Sequence, residues 1–188
     1  MNHEALFWEY DKVNEVINCN LCPHHCKLSK NKIGICKTRQ NIDNTLIALN
    51  YGKVASIALD PIEKKPLYHY KPGSNILSLG TYGCNMRCGY CQNYSISQSK
   101  VKGDTYNVEY VLQLIDRTQD NIGIAFTYNE PLMWYEYVLE TAKAVKAINK
   151  DVVLVTNGYI NQEPLELLLN YVDSMNIDLK SFDDKTYH

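Results

Sequence analysis

No apolar run in this chain reaches the length of a membrane span, so no helix crossing a bilayer is expected. The first ten residues lack the basic and then apolar profile of a secretory signal, which points to the cytoplasm. Lysines are scattered and not massed, and a formal net charge of −2 gives neither nucleic acid nor an anionic membrane an electrostatic handle. Phe is scarce, three against fifteen Tyr, and nucleotide bias toward Lys, Asn, Ile and Tyr codons explains that without any function. A disulfide framework is argued against on other grounds. The seven cysteines are an odd number in two tight clusters, which suits metal ligation in a reducing compartment such as the cytoplasm of an anaerobe. At 188 residues the chain can bury one good core, or a moderate domain with a small appendage.

What is present is dominated by Thr81-Tyr-Gly-Cys-Asn-Met-Arg-Cys-Gly-Tyr-Cys-Gln-Asn93. Cys84, Cys88 and Cys91 have the spacing CxxxCxxC, and three thiolates converging from one short loop can hold three corners of a four-iron four-sulfur (4Fe-4S) cube. The fourth iron is then left without a protein ligand. Gly83 and Gly89 are expected to let this loop turn where a Cβ would obstruct it. The plainer readings are buried free cysteines or part of a zinc site, but no second downstream pair completes a zinc set.

The rest of the chain divides by pattern. Residues 1–50 read as a small cysteine-rich metal module behind a short helix over 5–18, residues 51–74 as a hairpin and lead-in, and residues 75–188 as the main domain. The hairpin is expected over 46–60, turning at Tyr51-Gly52-Lys53. From residue 75 short apolar runs at 76–80, 122–126, 152–155 and 174–179 alternate with amphipathic helices near 107–120, 131–149 and 162–171. Asn107 suits a helix cap and Pro131 a first helical turn. The βαβ alternation predicts an α/β fold with a parallel sheet, about four βα units of a partial TIM-type (β/α) barrel. In such barrels reactive groups gather at the carboxyl ends of the strands. The cysteine loop, Asn129 with Glu130, Thr156-Asn157-Gly158, and Asp178 with Lys180 all fall there, strand by strand.

With Tyr90 before the third cysteine, the motif resembles the radical S-adenosylmethionine (SAM) enzymes. The resemblance implies that the open iron chelates SAM, that one electron from the cluster cleaves it to a 5′-deoxyadenosyl radical, and that the radical takes a hydrogen atom from a substrate. It also implies that Glu130 meets the SAM amino group, although Tyr128-Asn129 stand where two glycines are usual. A helix-start acid is the plainer role for Glu130. Thr156-Asn157 resembles the segment that pyruvate formate-lyase activating enzymes place near the SAM ribose, with Val155 replacing an acid. Alone it is an ordinary strand-to-turn signal. Asp178 and Lys180, two apart on the expected fourth strand, resemble the same enzymes' Asp-Leu-Lys segment. An electron donor such as flavodoxin or ferredoxin is implied as a partner.

Two further stretches complete the reading. Cys19, Cys22, Cys26 and Cys36 give Cx2Cx3Cx9C, a set that suits zinc or an auxiliary iron-sulfur cluster and serves stapling or electron relay better than catalysis. The run from Asp60 to Gly73 reads as a rigid lead-in with Lys64, Lys65 and His69 in solvent. This run and the four-cysteine pattern resemble the AmmeMemoRadiSam group of radical SAM proteins, which implies a Memo-like or AMMECR-like protein partner. An activase would instead act on a glycyl-radical enzyme. Four βα units do not close a barrel, so a C-terminally truncated chain is expected. The alternatives to an enzyme are a non-catalytic metal-binding interaction module or an inactive fragment. Radical methyl transfer is weaker, since no extra methyl-carrying cysteine is in place.

Overall fold

The computed structural model describes residues 2–99, 103–183, 185 and 187. Its N-terminal part is built from six short strands: β1 (His3–Glu4), β2 (Trp8–Asp11), β3 (Val16–Cys19), β4 (Lys27–Leu28), β5 (Arg39–Ile42) and β6 (Thr45–Ala48). They form two antiparallel sheets, β2-β3-β4 and β1-β6-β5. The helix expected over 5–18 is therefore a β-hairpin. Trp8, Tyr10, Val16 and Ile17 favour strands, and the Asp11 carboxylate accepts from Val13 N at 2.9 Å and Asn14 N at 3.1 Å, closing a turn. Phe7 and Glu15 sit at φ +57° and +52°, which a right-handed helix cannot contain.

The hairpin expected over 46–60 is also replaced. Asp43 and Asn44, at φ +49° and +63°, turn β5 into β6. The turn at Gly52 exists, with Lys53 N donating to Asn50 O at 2.8 Å, but it leads elsewhere. β7 (Lys53–Val54) pairs with β10 (Asp104–Thr105), and β8 (Ser56–Pro61) runs antiparallel to β9 (Asn75–Gly80).

The main sheet has the order β13-β12-β11-β9-β8. β9, β11 (Asn121–Phe126), β12 (Asp151–Thr156) and β13 (Ser174–Ile177) are parallel, and β8 adds an antiparallel edge. A short α1 (Tyr94–Ser97) follows the cysteine loop, and α2 (Val108–Arg117), α3 (Tyr135–Ala147) and α4 (Gln162–Leu169) connect the parallel strands. Asn107 caps α2, its side chain accepting from Tyr110 N at 2.8 Å, and Pro131 opens a 3-10 turn, Pro131–Trp134, leading into α3. The expected strand over 174–179 stops at Ile177, so Asp178 and Lys180 lie just beyond it.

Alternate residues of each strand serve opposite faces. Leu77, Leu79, Ile124, Phe126, Val152 and Leu154 join the main core, where α2 and α3 pack, while Ile76, Ala125 and Val153 form a second cluster with Ile62, Leu67 and Tyr70. Each fully buried aliphatic side chain contributes about 1.5–3 kcal/mol.

The N-terminal strands share that main core through Ala5, Ile17, Leu21, Leu28 and Leu46. Polar ties reinforce the union at the start of α3. Trp134 Nε1 donates to Asn50 O at 2.7 Å, Thr38 Oγ1 to Met133 O at 3.1 Å, and Leu6 N to Glu136 Oε1 at 2.8 Å. Buried Arg39 pairs with buried Glu136. Among the described residues no helix is long and apolar enough to cross a membrane.

Candidate functional site

The carboxyl ends of the four parallel strands surround one cavity of about 600 Å³. That size suits a small-molecule or cofactor site. Cys84, Cys88 and Cys91 line it from the loop after β9, Asn129 and Glu130 from the end of β11, Thr156 and Asn157 from the end of β12, and Asp178 and Lys180 from beyond β13. Tyr90 lines it as well, and its hydroxyl donates to Lys180 O at 2.9 Å, joining the first strand end to the last.

The cysteine loop is shaped by close packing. Gly83 has φ +89°, and a Cβ there would stand 2.3 Å from Thr38 Cγ2 and 2.6 Å from Cys36 O. Gly89 carries no such demand, because a Cβ added to it meets nothing within 4 Å. Around the sulfurs stand donors suited to thiolates: Met86 N donates to Cys84 Sγ at 3.4 Å, Asn157 Nδ2 to the same sulfur at 3.9 Å, and Ser97 Oγ lies 3.3 Å from Cys91 Sγ. Burial pushes the Cys84 thiol up to about 12, with the Glu130 carboxylate and the other two cysteines adding to the rise. A cation bound at the sulfur is what favours its thiolate at neutral pH.

Glu130 is 2% exposed and joins two strand ends. Its Oε1 accepts from Leu132 N at 3.0 Å and Thr156 Oγ1 at 2.6 Å, and its Oε2 accepts from Asn157 N at 2.8 Å. Burial raises its pKa against the pull of these donors. The carboxylate therefore caps the 3-10 turn and still faces the cavity. Asn129 grips the cysteine loop: its Oδ1 accepts from Thr81 N at 3.1 Å and its Nδ2 donates to Gly83 O at 2.8 Å. Tyr128 adopts φ +72°, the left-handed conformation that the glycine expected there would take.

Asn157 Nδ2 also donates to Asn85 Oδ1 at 2.9 Å, and Asn85 Nδ2 to Tyr159 O at 2.7 Å, so the β12 end and the cysteine loop hold each other. Beyond β13, Asp178 N donates to Thr156 O at 2.8 Å, and the Lys180 ammonium pairs with the Asp178 carboxylate. Burial works against that ammonium, but Asp178 outweighs it and keeps the Lys180 pKa above its ordinary value.

One part of the cavity wall was not foreseen. Lys65 is not in solvent; it is 1% exposed and lines the cavity with Asp60, Lys64 and Tyr128. Lys65 Nζ lies 2.8 Å from Asp60 Oδ2, Tyr128 Oη donates to that oxygen at 2.7 Å, and Lys64 Nζ reaches Asp60 Oδ1 at 3.1 Å. Burial opposes the Asp60 charge, but these three donors outweigh it and hold the carboxyl well below the usual carboxylate range. No local signal marks Lys65, because its burial is set by Tyr128 and by the antiparallel pairing of β8 with β9.

The other four cysteines lie nearby. Cys19, Cys22 and Cys36 are buried and Cys26 half-buried, lining a narrow pocket with Leu21 and Met133. Burial raises Cys22 to about 12 and also raises Cys19 and Cys26. His24 belongs to this loop, its Nε2 lying 2.7 Å from Asn85 O. As the side chains stand, no group of three or more His, Cys, Asp or Glu among the described residues closes on a single metal ion. For a cube held by three cysteines, the fit rests on other features: three sulfurs on one cavity wall, amide and hydroxyl donors beside them, and room for a ligand opposite.

Comparison with known proteins agrees. A family model described as the Radical SAM superfamily matches residues 78–188. An uncharacterised protein of Methanocaldococcus jannaschii is 42% identical over 180 residues, covering 94% of this chain and 53% of its own length. A 4-hydroxyphenylacetate decarboxylase activating enzyme of Clostridium scatologenes is 29% identical over 97 residues, which is 50% of this chain and 30% of that enzyme. A second M. jannaschii protein, named as a candidate glycyl-radical enzyme activating enzyme, is 32% identical over 117 residues, covering 61% of this chain and 43% of its own. The chain spans about half the length, or less, of the curated relatives it matches. With a match over more than half of its residues, centred on the cysteine loop and the strand ends that face it, the chain belongs to the radical SAM superfamily.

Proposed function

We propose that the cavity binds a 4Fe-4S cluster and SAM, and that the protein containing this chain cleaves SAM reductively to begin a radical reaction. The observation that carries this reading is the convergence of four successive strand ends on one cavity whose wall holds Cys84, Cys88 and Cys91. A cluster held there by the three cysteines would supply the electron for reductive cleavage of SAM to methionine and a 5′-deoxyadenosyl radical, which would take a hydrogen atom from a substrate. The chain's own residues bind and orient. The three cysteines hold the cluster, and the donors from Met86 and Asn157 favour Cys84 as a thiolate.

Glu130 has three donors on its two oxygens, and a carboxylate accommodates about four. Glu130 lines the cavity, and the remaining position would suit the SAM ammonium. Thr156, Asn157 and the Asp178–Lys180 pair border the same space and offer donors and acceptors to the ribose and methionine groups. Asn129 acts by positioning the cysteine loop, and Tyr90 closes the loop against Lys180.

In this reading the main sheet is part of a (β/α) barrel over residues 75–188, residues 51–74 lead into it, and residues 1–50 are a cysteine-rich module whose Cys19, Cys22, Cys26 and Cys36 hold zinc or an auxiliary iron-sulfur cluster. The activating enzymes among the relatives support a protein substrate, a glycyl-radical enzyme. The run from Asp60 to Gly73 supports a Memo-like or AMMECR-like partner instead. A reduced flavodoxin or ferredoxin is the electron donor, in the cytoplasm.

The test is anaerobic reconstitution with iron and sulfide, reduction by dithionite, and chromatographic measurement of 5′-deoxyadenosine from SAM. Production above the unreconstituted control is expected. An intact cluster with SAM bound and no 5′-deoxyadenosine would refute the proposal.

A further inference from the structure

Asp60, Lys64, Lys65 and Tyr128 form a charged patch in the cavity wall that no step above uses. Three of the four come from the end of β8 and the 3-10 turn after it, outside the parallel strands that present the cysteine loop and the other rim motifs. Lys65 and Asp60 are 1% and 6% exposed. Burying a lysine and an aspartate costs more than packing apolar side chains of the same size, and unlike the buried Arg39–Glu136 pair, which ties the N-terminal strands to α3, this pair borders the cavity.

The hydrogen bonds are unevenly shared. Asp60 serves three donors, Lys65 Nζ, Tyr128 Oη and Lys64 Nζ. An ammonium carries three N–H groups, and Asp60 accounts for one of those on Lys65. Asp60 neutralises buried Lys65, and the excess positive charge at this end of the cavity is carried by Lys64, whose side chain is 67% exposed. Elsewhere along the wall Asp178 and Lys180 neutralise each other, and Glu130 is held by its own donors.

The patch is also held rigidly. Tyr128 is kept at φ +72° with its ring 5.0 Å from Lys65 Nζ, and a Cβ on Gly80 would come within 2.9 Å of that ring. Residues held in sparsely populated backbone regions cluster at ligand clamps. Asp60 and Tyr128 therefore fix Lys65 in place before any ligand arrives.

We propose that Lys65, oriented by Asp60 and Tyr128 and assisted by Lys64, binds an anionic group, carboxylate or phosphate, of the molecule that shares the cavity with SAM. This deepens the function proposed above, because it assigns the substrate a charge. It places the reacting carbon on a ligand anchored at the β8 end of the cavity, with the cysteine loop supplying the radical chemistry.

The test is calorimetric titration of the reconstituted protein, saturated with SAM, with inorganic phosphate and separately with succinate, which tells phosphate from carboxylate. One of the two is expected to bind, and Lys65→Met to weaken it about tenfold or more, Lys64→Gln by less, with Lys65→Arg restoring most of the affinity. Wild-type protein treated with an amine-acetylating reagent gives a second reading that needs no variant. The anion should protect the exposed Lys64 and leave the equally exposed Lys30 unprotected.

Binding of neither anion, equal binding by Lys65→Met, or loss of anion binding when SAM is added would each overturn the proposal. The last result would assign Lys65 to the SAM site. Phosphate or succinate binding does not depend on turnover, so a protein that binds the anion but makes no 5′-deoxyadenosine would contradict the proposed reaction and leave this site standing.

Discussion

Two groups of cysteines sit side by side in this molecule, and their surroundings differ. Cys19, Cys22 and Cys36 are 7%, 8% and 8% exposed, around a space of about 10 Å³, the room of a single water. Cys84, Cys88 and Cys91 are half-buried and open onto about 600 Å³. The groups abut where Gly83, next to Cys84, packs on the Cys36 carbonyl, and where His24 meets Asn85. Their difference is one of walls. The first set is closed by Leu21, Leu28, Met133 and the buried Arg39–Glu136 pair, and the second is bordered by carboxylates, amides and ammoniums. In the function proposed above, the enclosed set serves structure or electron relay and the set on the polar cavity serves the chemistry.

The largest expected effect breaks this comparison on the open side. Cys88→Ala should bring cluster iron at the cavity and 5′-deoxyadenosine formation to background while leaving the thermal midpoint nearly unchanged. Iron analysis of a protein still carrying the N-terminal cysteines separates the two sites. On the closed side, Glu136→Gln leaves the Arg39 guanidinium buried without its partner and should cost roughly 3–5 kcal/mol in denaturant unfolding. Activity per folded molecule should hold.

A smaller change tests the join between cavity and loop. Asn129→Ala removes the bonds to Thr81 N and Gly83 O, and should cost about 1–3 kcal/mol and speed alkylation of Cys84, Cys88 and Cys91 over that of Cys19 and Cys22. The smallest effect is on pH. Asp60 is held below its unfolded pKa of about 3.9, so its pairing stabilises the fold above that pH and is lost as pH falls through the lowered folded value. Asp60→Asn should lower the thermal midpoint near neutrality, where it leaves buried Lys65 without its carboxylate, and flatten the further fall below about pH 4.

The same contrast governs what could be read before the structure. Over 107–171 the helices and strands carry their own signals, such as Asn107 as a cap, Pro131 in a first turn and the apolar run 152–155, which lies inside the strand Asp151–Thr156. The N-terminal strands carry almost none, because two- and four-residue strands are stabilised by partners far along the chain, as β1 is by β6. Trp8 and Tyr10 lean toward strand only weakly, and the turn closed by Asp11 completes the hairpin. The rim residues were legible because each follows a parallel strand. Lys65 was not, since its burial depends on Tyr128, more than sixty residues away in the chain, and on an antiparallel edge strand that local pattern did not announce. Glu130 caps the 3-10 turn, its plainer reading, and also lines the cavity.

The central claim is that the open cysteine group and the three strand ends beside it make one site for a cluster and SAM. Electron paramagnetic resonance of the dithionite-reduced, reconstituted protein, recorded with and without SAM, tests it most directly. A change in the cluster spectrum on adding SAM, absent in Cys88→Ala and weakened in Glu130→Gln, is the predicted result. A reduced cluster at Cys84, Cys88 and Cys91 whose spectrum is indifferent to saturating SAM would contradict it.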